Sequence, residues 1–176
     1  EEPGFEADDI IGTLAREAED EDVEVVCITS DKDFYQLVDD RVSLLKPAQK
    51  GGDFETISFE GVAEKFGVKP DRVIDVLALI GDSSDNIPGV KGIGIKTAVP
   101  MIQEYGSLEG VYENIDKIKG AAKKKLEENK EMAFLSKELV TIMREMDIEL
   151  KADDFFWDGP DYAALDEFFA KEGFNQ

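Results

Sequence analysis

Apolar residues recur at helical spacing from Phe5 to Glu19, with Ile10, Ile11, Leu14 and Ala18 on one face, so the chain opens on an amphipathic helix. An acidic turn, Asp20–Asp22, leads into Val23–Thr29. That run is β-branched and broken only by Glu24, which suits a buried parallel strand. Ser30 or Asp31 can cap a following helix whose Phe34, Leu37 and Val38 face inward. Short strands are expected at Val42–Leu45 and Thr56–Phe59, on either side of a turn at Pro47–Asp53. Beyond this the periodicity is helical: Glu60–Phe66, Pro70–Ile80, Lys96–Tyr105, Leu108–Asn114, a charged helix from about Ala121 to Ser136, and a last one near Ala163–Glu172. A helix–strand–helix opening followed by helices predicts an α/β fold: the edge of a mainly parallel sheet flanked by helices, with a helical C-terminal half.

With 176 residues and 42% apolar content the chain is long and apolar enough for a single domain, 1–176, with a sizeable core. Its apolar runs fall short of a membrane span, and no signal peptide opens it. It starts at Glu1 without a methionine, so it reads as a fragment or a processed product. One cysteine, Cys27, excludes an internal disulfide and a multi-cysteine zinc site, and is expected in the core. Histidine is absent, which removes serine–histidine triads, histidine bases and histidine-ligated zinc. Hydrolytic chemistry must then rest on carboxylates, lysine or metal-bound water, and carboxylate-only sites select hard ions such as magnesium or manganese.

The 41 acidic residues against 20 basic ones give a net charge of −21. A basic footprint is the usual mark of nucleic-acid binding, so this balance opposes it at first sight. It predicts instead a solubilising surface or, more sharply, adaptation to high intracellular salt, where self-repulsion is screened.

Three acidic groups stand out. "FEADDIIG" places Glu6, Asp8 and Asp9 in a first helical turn, where dipole compensation alone explains them. "TSDKDF" places Asp31 and Asp33 at the carboxyl end of a strand, the ligand-binding end of open α/β sheets; capping explains one of them better than both. "LIGDSSDN" places Asp82 and Asp85 at the C-terminal end of a helix, where the dipole disfavours them. Seven acids brought together repel one another unless divalent cations reverse the sign. Two ions held ~3.5–4 Å apart can clamp the attacking and leaving oxygens of a phosphodiester.

"PGVKGIGIKTA" follows at once. Gly89, Gly92 and Gly94 let backbone approach a phosphate, and a helix starting near Lys96 or Thr97 would point amides at it. The spacing is not that of a Walker loop, and a tight turn between helices is the plain alternative. Lys91 and Lys96 favour the phosphate reading. Pro100 requires that the helix start late enough to keep it near the first turn. Lys123–Lys125 fit a solvated helix face and a phosphate contact about equally, and Phe155–Trp157 are expected to pack in the core.

Together "FEADDIIGTLA", "TSDKDFYQLV", "LIGDSSDNIPGVKGIGIKTA" and "EYGSLEGVYENIDKIKG" resemble, in order, the 5′-nuclease domain of bacterial DNA polymerase I, within the flap endonuclease superfamily. The resemblance runs from Phe5 to about Phe174. It implies a metal-dependent 5′-3′ exonuclease and flap endonuclease, using two Mg2+ or Mn2+, that removes primers and serves DNA repair in the cytoplasm, at the nucleoid. Glu6, Asp8, Asp9, Asp31, Asp33, Asp82 and Asp85 match the family's metal cluster. Of these, Glu6, Asp8, Asp31 and Asp33 lie nearer one ion, and Asp82 and Asp85 help hold the other. Asp8, Asp31, Asp33, Asp82 and Asp85 are the implied catalytic set.

Gly81–Thr97 matches a helix-three-turn-helix element in which Gly89, Lys91, Gly92, Ile93, Gly94, Ile95, Lys96 and Thr97 would meet DNA, with a potassium ion at the Gly92–Gly94 turn. The implied partners are a 5′-flap or nicked duplex, an RNA–DNA primer junction, and polymerase domains of the same chain; no membrane is implied. Residues 1–60 would form the metal-site part and 61–176 the DNA-binding part. The family's first strand and its helical arch find no counterpart here, so a central strand of the sheet is expected to be missing. Ser30 and Ile95 depart from the family's usual residues. A duplex-binding module without catalysis and an acidic interaction domain remain the alternatives.

Overall fold

A computed structural model describes residues 3–20, 23–47, 52–148 and 156–174. The first helix, α1 (Ala7–Asp20), is followed by β1 (Val25–Ile28), a 3-10 helix (Asp33–Leu37), β2 (Val42–Lys46), β3 (Glu55–Ile57) and α2 (Phe59–Phe66). A 3-10 turn at Pro70–Arg72 then leads into α3 (Val73–Ile80), α4 (Ile95–Tyr105), α5 (Leu108–Glu113), α6 (Ala121–Glu128), α7 (Lys130–Val140) and α8 (Tyr162–Lys171).

The sheet has the order β1-β2-β3 and is mixed. β1 and β2 run parallel, with Val25 opposite Val42, whereas β2 and β3 run antiparallel, with Leu44 opposite Ile57. β1 departs from the buried strand expected from its composition: Cys27 is buried, but Val26 and Ile28 are exposed. The reason is its place. Among the described residues β1 pairs on one side only, and an apolar groove of about 590 Å3 opens between it and α1. Ile11 and Leu14 of α1 line that groove rather than the core. Ala15 and Ala18 form the floor of the groove and are buried, as is Thr13 on the side of α1 away from it.

Along that side of α1 lies the segment 141–146. Thr13 Oγ1 accepts from the Met146 amide at 3.3 Å, and Arg16 Nε donates to the Arg144 carbonyl at 2.6 Å. Gly12 permits this approach, since a Cβ there would lie 2.7 Å from Ile142 Cγ2.

The helical half is built around α3, whose Val73, Val76, Leu77, Ala78 and Leu79 are fully buried. Each large apolar side chain so placed contributes roughly 1.5–3 kcal/mol. α7 packs along α3, with α4 and α5 beside it. Asp75, also buried, joins them: its Oδ1 accepts from the Leu108 amide at 3.0 Å and from Lys137 Nζ at 2.7 Å.

Several expectations shift. The Pro70–Ile80 helix divides, because its first three residues form a 3-10 turn that ends at Arg72. The long charged helix breaks at Asn129, whose side-chain amide donates to the Lys125 carbonyl at 2.8 Å and competes with the helical ladder. α4 starts at Ile95, so Pro100 is its sixth residue, beyond the first turn; it lies on the exposed side, where water can satisfy the carbonyl its ring leaves. Phe156 and Trp157 are 81% and 74% exposed rather than in the core, because α8 and the residues before it bury nothing against the described body. Phe155, Glu21, Asp22 and most of the Pro47–Asp53 turn lie outside the described residues. Among the described residues no helix is long and apolar enough to cross a membrane.

Candidate metal and nucleic-acid site

Three elements converge on one cavity of about 430 Å3. The N-terminus of α1 brings Glu6, Asp8 and Asp9; the segment after β1 brings Asp31 and Asp33; the loop after α3 brings Asp85. The stretch Glu138–Met143 closes the side. Asp82 lies just behind, buried.

Each carboxylate is placed by its local backbone. Asp31 Oδ1 accepts from the Asp33 amide at 3.0 Å, turning the chain off the end of β1 into the 3-10 helix. Gln36 fixes that helix: its side-chain amide donates to the Asp33 and Val140 carbonyls at 2.9 and 2.8 Å, and its Oε1 accepts from Ile142 at 3.0 Å. Asp82 and Asp85 owe their position to a closed loop. Asp82 and Ile87 exchange both backbone hydrogen bonds, at 2.9 and 2.7 Å. Gly81 and Gly89 meet back to back at its neck, both at positive φ, and a Cβ on Gly89 would fall 2.3 Å from the Gly81 nitrogen.

The electrostatics show how close these groups are. Burial, then repulsion from Asp31, Asp82 and Asp85, pushes Asp33 up to about 7. Burial raises Asp8, with Asp9 and Asp31 adding to it. Asp85 is raised by burial and by Asp82 and Asp31. Asp82 goes the other way: burial would raise it, but the hydrogen bond from Lys32 and that from the Ser84 amide outweigh this and hold it low.

The donor set is all oxygen, and Asp33 Oδ1 is buried with no hydrogen-bond partner. An orphaned carboxylate oxygen beside other acids fits a hard divalent cation. The arrangement is not a finished cage. Among the described residues no three acidic groups stand close enough to hold an ion as they are, and Lys32 Nζ is 2.5 Å from Asp82 Oδ2. Asp9 is spoken for: its oxygens accept from the Met143 amide at 2.8 Å and the Glu6 amide at 3.1 Å.

The glycine turn follows on the same loop. Val90 and Ile93 are buried and anchor it, while Lys91, Gly92, Gly94, Ile95 and Lys96 are exposed. Gly89 is buried and donates its amide to Ser136 Oγ at 2.9 Å, so Gly89 and Ile93 build the turn rather than offer it to a ligand. Thr97, half-buried, donates its amide to the Gly94 carbonyl at 2.8 Å. Lys32 could have been found between the two aspartates of "SDKDF". Gln36 and Ser136 carry no local sequence signal.

Comparison with known proteins shows the family. The model of the 5'-3' exonuclease N-terminal resolvase-like domain matches residues 1–67, and that of the 5'-3' exonuclease C-terminal SAM fold matches residues 68–163. DNA polymerase I of Bacillus caldotenax is 44% identical over 171 residues, 97% of this chain and 20% of that protein. The chain thus spans about a fifth of the length of the curated relatives it matches. Among solved structures, bacteriophage T5 flap endonuclease in a pseudo-enzyme–product complex with DNA and metal ions is 26% identical, with a TM-score of 0.69 over 80% of this chain and 51% of that one. The catalytic core of Rad2 in complex with DNA substrate is 19% identical, with a TM-score of 0.63 over 96% of this chain and 57% of that one, and so shares the fold.

Proposed function

Because this chain belongs to the 5′-3′ exonuclease family, we propose that it forms the metal-holding and duplex-binding portion of a structure-specific 5′ nuclease within a DNA polymerase I. The reaction is phosphodiester hydrolysis that leaves a 5′-phosphate. The substrate is a 5′-flap, a nicked duplex or an RNA–DNA primer junction, in primer removal and repair. Polymerase domains of the same protein are its partners, at the nucleoid in the cytoplasm. Residues 1–60 carry most of the metal site and 61–176 the duplex contacts.

Glu6, Asp8, Asp31 and Asp33 would hold one Mg2+ or Mn2+, and Asp82 and Asp85 would help hold a second. When bound, such ions polarise the scissile phosphate, lower the pKa of water and neutralise the leaving oxygen. The chain's own residues prepare for this. Asp33 offers its unpartnered oxygen. Asp9 ties α1 to Met143, and Gln36 ties Asp33 to the wall of the cavity. Lys91, Lys96 and the exposed Gly92, Gly94 and Ile95, in a turn read as a helix-three-turn-helix, receive duplex phosphates. A potassium ion at the Gly92–Gly94 turn belongs to the same family pattern.

The observation that carries this reading is Asp33, buried with one oxygen unpartnered and near enough to Asp31, Asp82 and Asp85 to be repelled by them. The deciding experiment is 5′-flap cleavage by the full-length protein. Asp85→Ala should reduce cleavage by roughly 100-fold or more while duplex affinity stays within about threefold. Unchanged cleavage would remove Asp85 from the site.

A further inference from the structure

The segment 141–146 forms neither helix nor strand. Its Thr141, Ile142 and Met143 line the acidic cavity. Ile142 and Met146 are buried and give it an apolar footing. Its polar footing comes from side chains of the first half of the chain. The Ile142 amide donates to Gln36 Oε1 at 3.0 Å, the Met143 amide to Asp9 Oδ1 at 2.8 Å, and the Met146 amide to Thr13 Oγ1 at 3.3 Å.

Two of these contacts stand apart from the third. Ile142 and Met143 are consecutive, yet their amides are held from two different acid-bearing elements. Asp9 follows Asp8 on α1. Gln36 belongs to the 3-10 helix that starts at Asp33, and its side-chain amide also donates to the Asp33 and Val140 carbonyls at 2.9 and 2.8 Å. Its NH2 thus meets two carbonyls while its oxygen meets an N–H, and only one orientation of the side chain satisfies all three contacts. The bond to Asp9 is charge-assisted and correspondingly strong. Two neighbouring amides therefore connect the turn that carries Asp8 to the turn that carries Asp33.

Electrostatics makes such a connection necessary. Asp8 and Asp31 are near enough to repel each other, and Asp33 is near enough to Asp31, Asp82 and Asp85 to be repelled by them. Like charges so placed push their elements apart. From these contacts, and resting on the nuclease reading above, we infer that the Ile142 and Met143 amides are the spacer that sets the separation of the acids proposed for the first ion. Gln36 and Asp9 are its positioning residues. Asp9 then acts through the segment 141–146 rather than as a metal ligand. Groups that orient a ligand without touching the ion change metal affinity by roughly 10- to 100-fold when removed.

The test is Mn2+ binding to the full-length protein, followed by electron paramagnetic resonance of the free ion well below the melting temperature. The site in question is the one that Asp8→Asn weakens. Gln36→Met keeps the length of the side chain and removes its three hydrogen bonds. It should weaken that site by roughly 10-fold, although position 36 carries no charge to meet the ion. Asp9→Asn and Asp9→Ala lose the same charge, but the amide oxygen of the first can still accept from Met143. Asp9→Asn should therefore bind Mn2+ at least about 3-fold more tightly than Asp9→Ala, the worth of one hydrogen bond. Tyr112→Phe loses the bond from its hydroxyl to the Leu126 carbonyl, away from the segment. It should lower the melting temperature and leave Mn2+ affinity unchanged. A merely structural role for Gln36 would make Gln36→Met behave in the same way. Wild-type affinity in Gln36→Met, equal affinities in the two Asp9 variants, or an equal loss in Tyr112→Phe would overturn the inference and leave the nuclease reading standing. A wild type in which Asp8→Asn removes no Mn2+ binding would overturn both. If Gln36→Met fails to fold, the two Asp9 variants decide alone.

Discussion

Lys32 Nζ lies 2.5 Å from Asp82 Oδ2, bridging the segment after β1 to the loop after α3. The lysine sits between Asp31 and Asp33 in sequence and neutralises a buried acid from the other half of the chain. It therefore competes with any cation that Asp82 would hold. Lys32→Met should lower the stability of the metal-free protein by about 1 kcal/mol, a figure below the buried-pair range because the lysine is more than a third exposed. Saturating magnesium should close that gap. Thermal unfolding with and without the ion checks this; a deficit of equal size in both would mean that no cation reaches Asp82.

The neck of the aspartate loop depends on one hydroxyl. Ser136 is fully buried on α7 and accepts the Gly89 amide at 2.9 Å. Ser136→Ala leaves that donor without a partner and should cost about 1–3 kcal/mol. Because the same loop carries Asp82, Asp85 and the glycine turn, duplex affinity should fall with stability. Denaturant unfolding and flap-duplex binding on the same variant check both effects.

Lys137 joins buried Asp75 to half-exposed Glu109. Burial would lower Lys137, but its hydrogen bonds to Asp75 and Glu109 win and raise it above the ordinary 10.5. A cation whose folded value is raised stabilises fully below its ordinary value, and the effect is lost as pH climbs through the folded one. Glu109 is tuned the opposite way: burial would raise it, yet Lys137 holds it below 4.5, so its contribution is present above 4.5 and lost at lower pH. Lys137→Met should thus cost about 2 kcal/mol between these limits. The difference from wild type should shrink above pH 10.5 and below 4.5. Urea unfolding across pH measures it.

A net charge of −21 makes the folded state repel itself in dilute buffer. If the surface is adapted to high salt, raising KCl from about 0.05 to about 1 M should raise the melting temperature by on the order of 5 °C. A flat response would leave only the solubilising role.

Much of this molecule could be read from the chain because its information is local. The inward set Phe34, Leu37 and Val38, the short strand at Val42 and the helix start at Leu108 follow periodicity, and all are found, but the cap expected at Ser30 or Asp31 is not: the 3-10 helix begins at Asp33 with Lys32 in the cap position and no side-chain cap bond. Asp82 and Asp85 could be singled out because they break a rule of their helix, and Asp31 and Asp33 because they sit where sheets bind ligands, whereas Glu6, Asp8 and Asp9 obey the rule of a first helical turn and stood out only through the family resemblance. What escaped is non-local. Ile11 reads as core from its spacing, but its burial depends on what covers the groove beside β1. Gln36, Ser136 and Lys125 look like surface residues until the fold brings Ile142, Gly89 and Gly92 to them. The break at Asn129 arises where a side chain competes with the backbone inside an otherwise good helix.

The proposed site needs acids from three distant stretches to serve the same cations. The most direct measurement is a calorimetric titration of magnesium and manganese into the wild type and into Asp8→Asn, Asp33→Asn and Asp82→Asn. The wild type should bind saturably, and binding should weaken in all three variants, at least about tenfold for Asp33→Asn, or roughly 1.4 kcal/mol. A wild type that binds neither ion, or three variants that bind as the wild type does, would contradict it.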